Sequence, residues 1–206
     1  LARSLKAPGA APPGQADSPF YLYKAAFDAI AVIRGFAVEG VEPADGFLTN
    51  FLGVRIDPKF FPDILEGKAG QVEGIPIPAN WHADIAEWAS ALRAVELARQ
   101  RFRIVELGCG WGCWLNNTGV AARRRGLAVE LIGVEGDAGH VAFAHEALAA
   151  NGFGAGDYRI IHGIAAAEDG KALFPKGGAS GRDWGMEPIL DATPEDVERA
   201  AAAGTH

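Results

Sequence analysis

The chain has 206 residues, 49% of them apolar and 22% charged, which is enough hydrophobic material for one substantial domain and excludes a disordered composition. Its net charge of -7 leaves no electrostatic footprint for nucleic acid. No run is long and apolar enough to span a membrane, and no signal peptide is visible. Cys109 and Cys113 are the only thiols, and their C-x-x-x-C spacing matches no usual zinc or redox motif. No metal site is therefore expected, and the chain reads as cytoplasmic and free of disulfides. It starts at Leu1 and ends abruptly at His206, as expected of a piece of a longer protein.

Residues 1–18 are rich in Ala, Pro and Gly and read as a flexible tail. Ser18 and Pro19 form a helix-start signal, and Phe20, Tyr23, Phe27, Ile30 and Ile33 recur at helical spacing up to a stop at Gly35. Residues 36–78 carry many Gly and Pro and predict only short elements. Residues 19–78 thus form an extension, expected to be mainly helical, that serves as a cap or an interface. Asn80 is placed to cap a long amphipathic helix between Trp81 and Arg101, with Ile85, Trp88, Leu92, Val95 and Leu97 on its apolar side.

A regular alternation follows from residue 79 to the C-terminus. A buried strand starts at Phe102 and ends in glycines. A helix runs from Cys113 to Arg125, a strand from Ala128 to Val134, a helix from Asp137 to Ala150, and a strand from Tyr158 to His162. Arg123-Arg124-Arg125 reads as a solvated helix end. This order predicts an α/β fold of Rossmann-like, doubly wound type, with parallel strands ordered 3-2-1. Beyond residue 170 the pattern weakens. Phe174 opens a loop-like stretch, and Thr193-Pro194 starts a short helix. No fourth buried strand is evident, so the sheet reads as incomplete.

The central motif is Glu106-Leu107-Gly108-Cys109-Gly110-Trp111-Gly112, at a strand-to-helix turn. Glycines there let the chain bend sharply and let a ligand approach the backbone. The spacing is not G-x-G-x-x-G, because Cys113 and Leu115 stand where the third glycine would be. Glu106 would repel a pyrophosphate but suits the ammonium end of an amino-acid ligand. Acid-x-G-x-G-x-G therefore favours S-adenosyl-L-methionine over a dinucleotide. Glu135, with Gly136 beside it, ends the second strand, and a carboxylate there can accept from both ribose hydroxyls. Asp137 is expected to cap the following helix. The turn Gly163-Ile164-Ala165 after the third strand offers an apolar wall for adenine.

These segments, through Gly163-Ile164-Ala165-Ala166-Ala167-Glu168-Asp169-Gly170, resemble class I S-adenosylmethionine-dependent methyltransferases, and the FkbM-like family in particular, over roughly residues 79–190. The resemblance implies O-methylation of a hydroxyl on a small-molecule or glycan acceptor. It implies that Glu106, Gly108, Gly110 and Gly112 line the methionine part, with Cys109 and Trp111 contributing backbone. It places Glu135 at the ribose, and Ile164 and Ala165 at the adenine. The family's usual fourth strand, ending in an acidic segment, is not found here.

His82 and His162 are the candidate bases, each also readable as a packed or capping residue. His140 and His145 are expected at the surface, and Trp81, Trp88, Trp114 and Trp184 in the core or in a lid. A noncatalytic S-adenosylmethionine-binding module and a nicotinamide-dependent Rossmann oxidoreductase are the competing readings, and homo-oligomerisation stays open.

Overall fold

The computed structural model describes residues 26–205. The expected tail, its Ser18-Pro19 start signal, and Phe20 and Tyr23 of the first predicted helix lie outside them. Within the described residues the first helix, α1 (Ala29–Phe36), begins much later than Pro19. Asp28 sets that start, because its side chain accepts the Ala31 N–H at 3.0 Å. Phe27 therefore precedes the helix, and Gly35 lies inside its last turn rather than stopping it.

The rest of the extension is mixed rather than mainly helical. It holds β1 (Leu48–Thr49), β2 (Arg55–Ile56), a 3-10 turn (Pro58–Phe60), the single-turn α2 (Pro62–Leu65) and β3 (Gln71–Val72). The three strands form a small sheet in the order β2-β1-β3. Its frequent Gly and Pro explain such short pieces, since both interrupt regular pairing. The hydrophobic core crosses residue 78 without a break. Val54 and Phe60 share it with Trp88, Leu92 and Trp111.

The next helix, α3 (Ile85–Leu97), is capped by Asp84 and not by Asn80. Asp84 and Glu87 form a capping box, which outcompetes a cap four residues earlier. Asn80 instead folds the turn before the helix. Its Oδ1 accepts from the backbone of His82 and Ala83 and from the Trp88 indole. Ile85, Trp88, Leu92 and Val95 are buried as expected, whereas Leu97 is 57% exposed.

Strand β4 (Arg101–Leu107), α4 (Cys113–Arg124), β5 (Ala128–Glu135), α5 (Ala138–Ala150) and β6 (Tyr158–His162) follow the predicted alternation to within a residue at most ends. The strands are parallel, in the order β4-β5-β6, with Ile104 beside Leu131 and Glu135 beside His162. Both crossover helices pack on the face that carries Phe102 and Leu131. Gly119 permits the close approach of α4, because a Cβ there would lie 2.8 Å from Phe153 and 2.9 Å from Leu131. At the solvated end of α4, Arg123 pairs with Asp157 at 2.6 Å, while Arg124 and Arg125 are exposed.

On the opposite face Val105 is 55% and Leu107 is 64% exposed. Parallel sheets are normally covered on both faces. This mixed α/β unit with three parallel strands is compatible with a Rossmann-like fold. The remaining elements are β7 (Ala172–Leu173), β8 (Ile189–Leu190), paired antiparallel, and α6 (Pro194–Ala203) with Thr193 as its cap. Among the described residues, no helix is long and apolar enough to cross a membrane.

Candidate functional site

The C-terminal ends of β4, β5 and β6 converge on one cavity of about 650 Å³, within the usual size range of small-molecule sites. The turn after β4 bends through three left-handed glycines, Gly108 (φ +65°), Gly110 (φ +53°) and Gly112 (φ +75°). A side chain at any of them would strain the backbone. The expected residues Glu106, Gly108, Cys109, Gly110 and Trp111 line the cavity, and so do Glu135, Gly136, Gly163, Ile164 and Ala165. Gly112 does not; it is the N-cap of α4.

Glu106 points under the start of α4. Its carboxylate accepts from Trp114 N at 3.2 Å and Leu115 N at 3.0 Å, two donors that a helix leaves unpaired. Burial pushes its pKa up to about 7, and the nearby charge of Glu135 adds to the rise. The carboxyl therefore anchors the helix as well as facing the cavity, a role its position in the motif does not disclose.

Glu135 ties two loops together. Its Oε2 accepts Gly110 N at 2.7 Å and its Oε1 accepts Asp137 N at 2.9 Å. Asp137 caps α5 as expected, accepting His140 N at 2.8 Å. Burial opposes ionisation of Glu135. The His140 ring and the N–H groups of Asp137 and Gly110 outweigh it, so the pKa lies below the usual carboxylate value.

His140 is buried, not at the surface as expected. Its Nε2 donates to the Ser180 carbonyl at 2.6 Å, and its Nδ1 lies 3.8 Å from Glu135 and 3.9 Å from Asp137. Acceptors on both sides favour the doubly protonated ring. Burial works against that charge, but these partners raise the pKa above the ordinary histidine value. His145 is at the surface, bonded to the Tyr158 hydroxyl.

Residues 174–188 form a strap across the cavity that the sequence did not reveal as part of the site. The Trp184 ring stacks on His140 (4.0 Å, 3°) and on Phe61 (4.3 Å, 12°). Its indole donates to the Phe60 and Gly181 carbonyls, both at 3.1 Å. It packs so closely on Gly110 that a Cβ there would lie 2.7 Å from the ring. Phe174 packs on Gly136 in the same way, at 2.6 Å. Trp184 is thus the lid residue among the tryptophans, and Trp88 is in the core.

Of the candidate bases, His82 lines the cavity and His162 does not. The His162 Nε2 donates to the Gly136 carbonyl at 2.9 Å, and its ring borders a neighbouring groove. His82 sits among Phe61, Trp81, Trp111 and Trp114. Burial lowers its pKa to about 4. Burial also pushes the Cys109 thiol up to about 12, so it is not a reactive thiolate. Among the described residues, no group of three or more His, Cys, Asp or Glu side chains is arranged to hold a metal ion.

No protein-family model matches the chain. No solved structure matches it either. The chain is 51% identical over 174 residues to a protein of Jannaschia sp. (strain CCS1) named "Putative methyltransferase". The match covers 84% of this chain and 62% of that protein, so the chain spans less than two thirds of the length of the relative it matches.

Proposed function

We propose that this chain is the S-adenosyl-L-methionine-binding part of a class I methyltransferase of FkbM-like type, acting on a hydroxyl of a small-molecule or glycan acceptor in the cytoplasm. The observation that carries this reading is electrostatic. Two carboxyl groups, half-buried Glu106 and buried Glu135, line a single cavity whose walls contain no Lys or Arg; the His140 cation there is paired with Glu135, which leaves Glu106 as the unbalanced acid. A cationic sulfonium and an ammonium group fit such walls. A pyrophosphate does not, which argues against a nicotinamide dinucleotide. The name of the 51% identical relative supports methyl transfer in general.

The cofactor, when bound, supplies the activated methyl group. The protein's share is orientation. Glu135 Oε2 accepts the Gly110 N–H and keeps a second lone pair for a ribose hydroxyl, while Oε1 accepts the Asp137 N–H and faces the His140 ring. Gly163, Ile164 and Ala165 supply a side-chain-poor wall for the base. Glu106 offsets positive charge, and the strap bearing Trp184 and Phe174 limits the water in the site. The exposed sheet face at Val105 and Leu107 favours a second reading, in which this unit binds the cofactor without transferring the methyl group.

Calorimetric titration separates these readings. Micromolar binding of S-adenosylmethionine, weakened about a hundredfold or ~2.7 kcal/mol in Glu135→Ala, is expected. NADH binding in its place would overturn the assignment. Cofactor binding without methyl transfer to any hydroxyl compound would favour the second reading.

A further inference from the structure

On the sheet side the strap is fastened by one side chain. His140 Nε2 donates to the Ser180 carbonyl at 2.6 Å, and the ring stacks on Trp184 at 4.0 Å and 3°. Its other nitrogen, Nδ1, faces two carboxylates, Glu135 at 3.8 Å and Asp137 at 3.9 Å. One buried ring thus joins the acid that ends β5 and the cap of α5 to two residues of the strap. Opposite this ring the strap is tied to the extension, where Trp184 donates to the Phe60 carbonyl and Arg182 pairs with Asp63 at 3.0 Å.

What the strap covers gives this fastening a consequence. Trp184 lies on Gly110 and Phe174 on Gly136, where a Cβ would come within 2.7 and 2.6 Å of the rings. Both glycines border the cavity. A ligand that approaches the backbone there meets the two rings first, so opening of the strap sets how fast ligands enter and leave.

The proton on Nδ1 decides how firmly the ring holds. Nε2 keeps its proton in either state, because the Ser180 carbonyl can only accept. With both protons the ring is a cation, which pairs with Glu135 and Asp137, strengthens the Ser180 bond and stacks on the indole face as a charge. Without the second proton, Nδ1 turns a lone pair toward two carboxylates. Burial disfavours the charge, but Glu135, Ser180 and Asp137 outweigh it and raise the pKa above the ordinary 6.5. The other charged groups nearby are engaged elsewhere. On the strap, Arg182 is held by Asp63 and Asp183 accepts the Ala179 N–H at 2.6 Å. Lys59, beyond Phe143, pairs with Glu146, and Glu106 accepts from the start of α4.

We propose that His140 is a protonation-controlled latch, which as a cation holds the strap closed over Gly110 and Gly136 and on losing its Nδ1 proton to solvent lets the strap open and ligands exchange. This rests on the reading that the cavity binds a ligand. His140 acts through the strap and is a positioning residue. The closed strap stays the main state in both forms, so exchange speeds up while affinity changes little.

The test is tryptic cleavage after Arg182 in the 206-residue chain from about pH 6 to 9, with His140 protonation followed by nuclear magnetic resonance. Rates are divided by those of an unstructured peptide with the same site, which removes the pH dependence of trypsin. Cleavage after Arg124 in α4 reports global unfolding. Relative to both, cleavage after Arg182 is expected to rise about fivefold as His140 deprotonates, since the charge-assisted bonds become neutral ones. The same rise is expected in Glu106→Gln, which separates the latch from the other acid of the cavity. His140→Gln keeps a donor for Ser180 but never a charge, and is expected to be cut fast at every pH. A wild-type rate that stays flat across this range would overturn the latch, and so would a rise retained in His140→Gln. If that variant does not fold, the wild-type profile still decides. The latch profile in a chain that never binds S-adenosylhomocysteine would support the latch and sink the cofactor reading alone.

Discussion

The carboxylate of Glu135 accepts the N–H of Gly110 at 2.7 Å, so the acid that ends one strand holds the glycine turn that ends its neighbour. The turns that follow β4 and β5 at the cavity are thereby set by a single side chain. Glu135→Ala leaves the Gly110 and Asp137 N–H groups unpaired and strips His140 of its counter-charge. A loss of about 3 kcal/mol is expected, from the cost of orphaned buried donors and a broken buried pair. Chemical denaturation measures it, and an unchanged midpoint would show that the carboxylate does not fasten the turn.

Glu106 and the Glu135–His140 pair give stability a defined pH dependence. His140 has a raised folded-state pKa, so its contribution is complete below about 6.5 and is lost as pH climbs through the higher folded value. Glu135 has a lowered pKa, so its contribution is present above about 4.5 and is lost as pH falls through the lower folded value. Glu106 titrates near 7 when folded, so its ionisation costs stability progressively between about 4.5 and 7, on the order of 3 kcal/mol in total. From these three groups, maximum stability is expected near pH 4.5, with a decline toward neutral pH. Thermal melts across pH 4–9 check this. Glu106→Gln is expected to flatten the decline toward neutral pH, and an equally steep decline would refute the assignment.

A cationic ligand reverses the sign of the Glu106 effect. Its charge stabilises the ionised carboxylate, so S-adenosylmethionine affinity is expected to rise as pH passes through 7. The slope should vanish in Glu106→Gln. Titrations at pH 6 and pH 8 decide it, and a slope retained in the variant would assign the effect to another group.

Trp184 holds the strap by stacking between Phe61 and His140. Trp184→Ala removes that clamp but leaves the β4-β5-β6 sheet untouched. Tryptic cleavage after Arg182 is expected to speed up severalfold, with far less change in global unfolding, because local opening precedes cutting. Equal cleavage rates in the two proteins would mean that the strap is held by its other contacts, such as the Arg182–Asp63 pair.

Gly119 tests the packing of α4 on the sheet. Ala at this position places a methyl group within 3 Å of Phe153 and Leu131. Overpacking of this kind costs about 1–3 kcal/mol. A variant as stable as the parent in a denaturant melt would show that α4 shifts freely.

The parallel unit was readable in sequence because its signals are local. Apolar runs mark the strands, while Gly126 and Gly152 follow the helices they end. The cap of α3 was equally local, but Asn80 competed with Asp84, and only the Asp84–Glu87 box tells them apart. His140 was misplaced because the small apolar residues of α5 surround the helix and mark no single face. Its burial depends on Ser180 and Trp184, about forty residues away. The strap was hidden for the same reason. A glycine-rich stretch carries no period, and its contacts with Gly110, Gly136 and Phe61 are set only by the folded chain.

Strand β4 is the edge of its sheet among the described strands, and Val105 and Leu107 stand exposed beside that edge. Its outer N–H and C=O groups form a ready template for any extended chain that meets them. Concentration therefore becomes a variable of this polypeptide's behaviour. When dilute, water satisfies the edge. When crowded, a neighbour's backbone competes for the same groups, and the two apolar side chains reward the exchange.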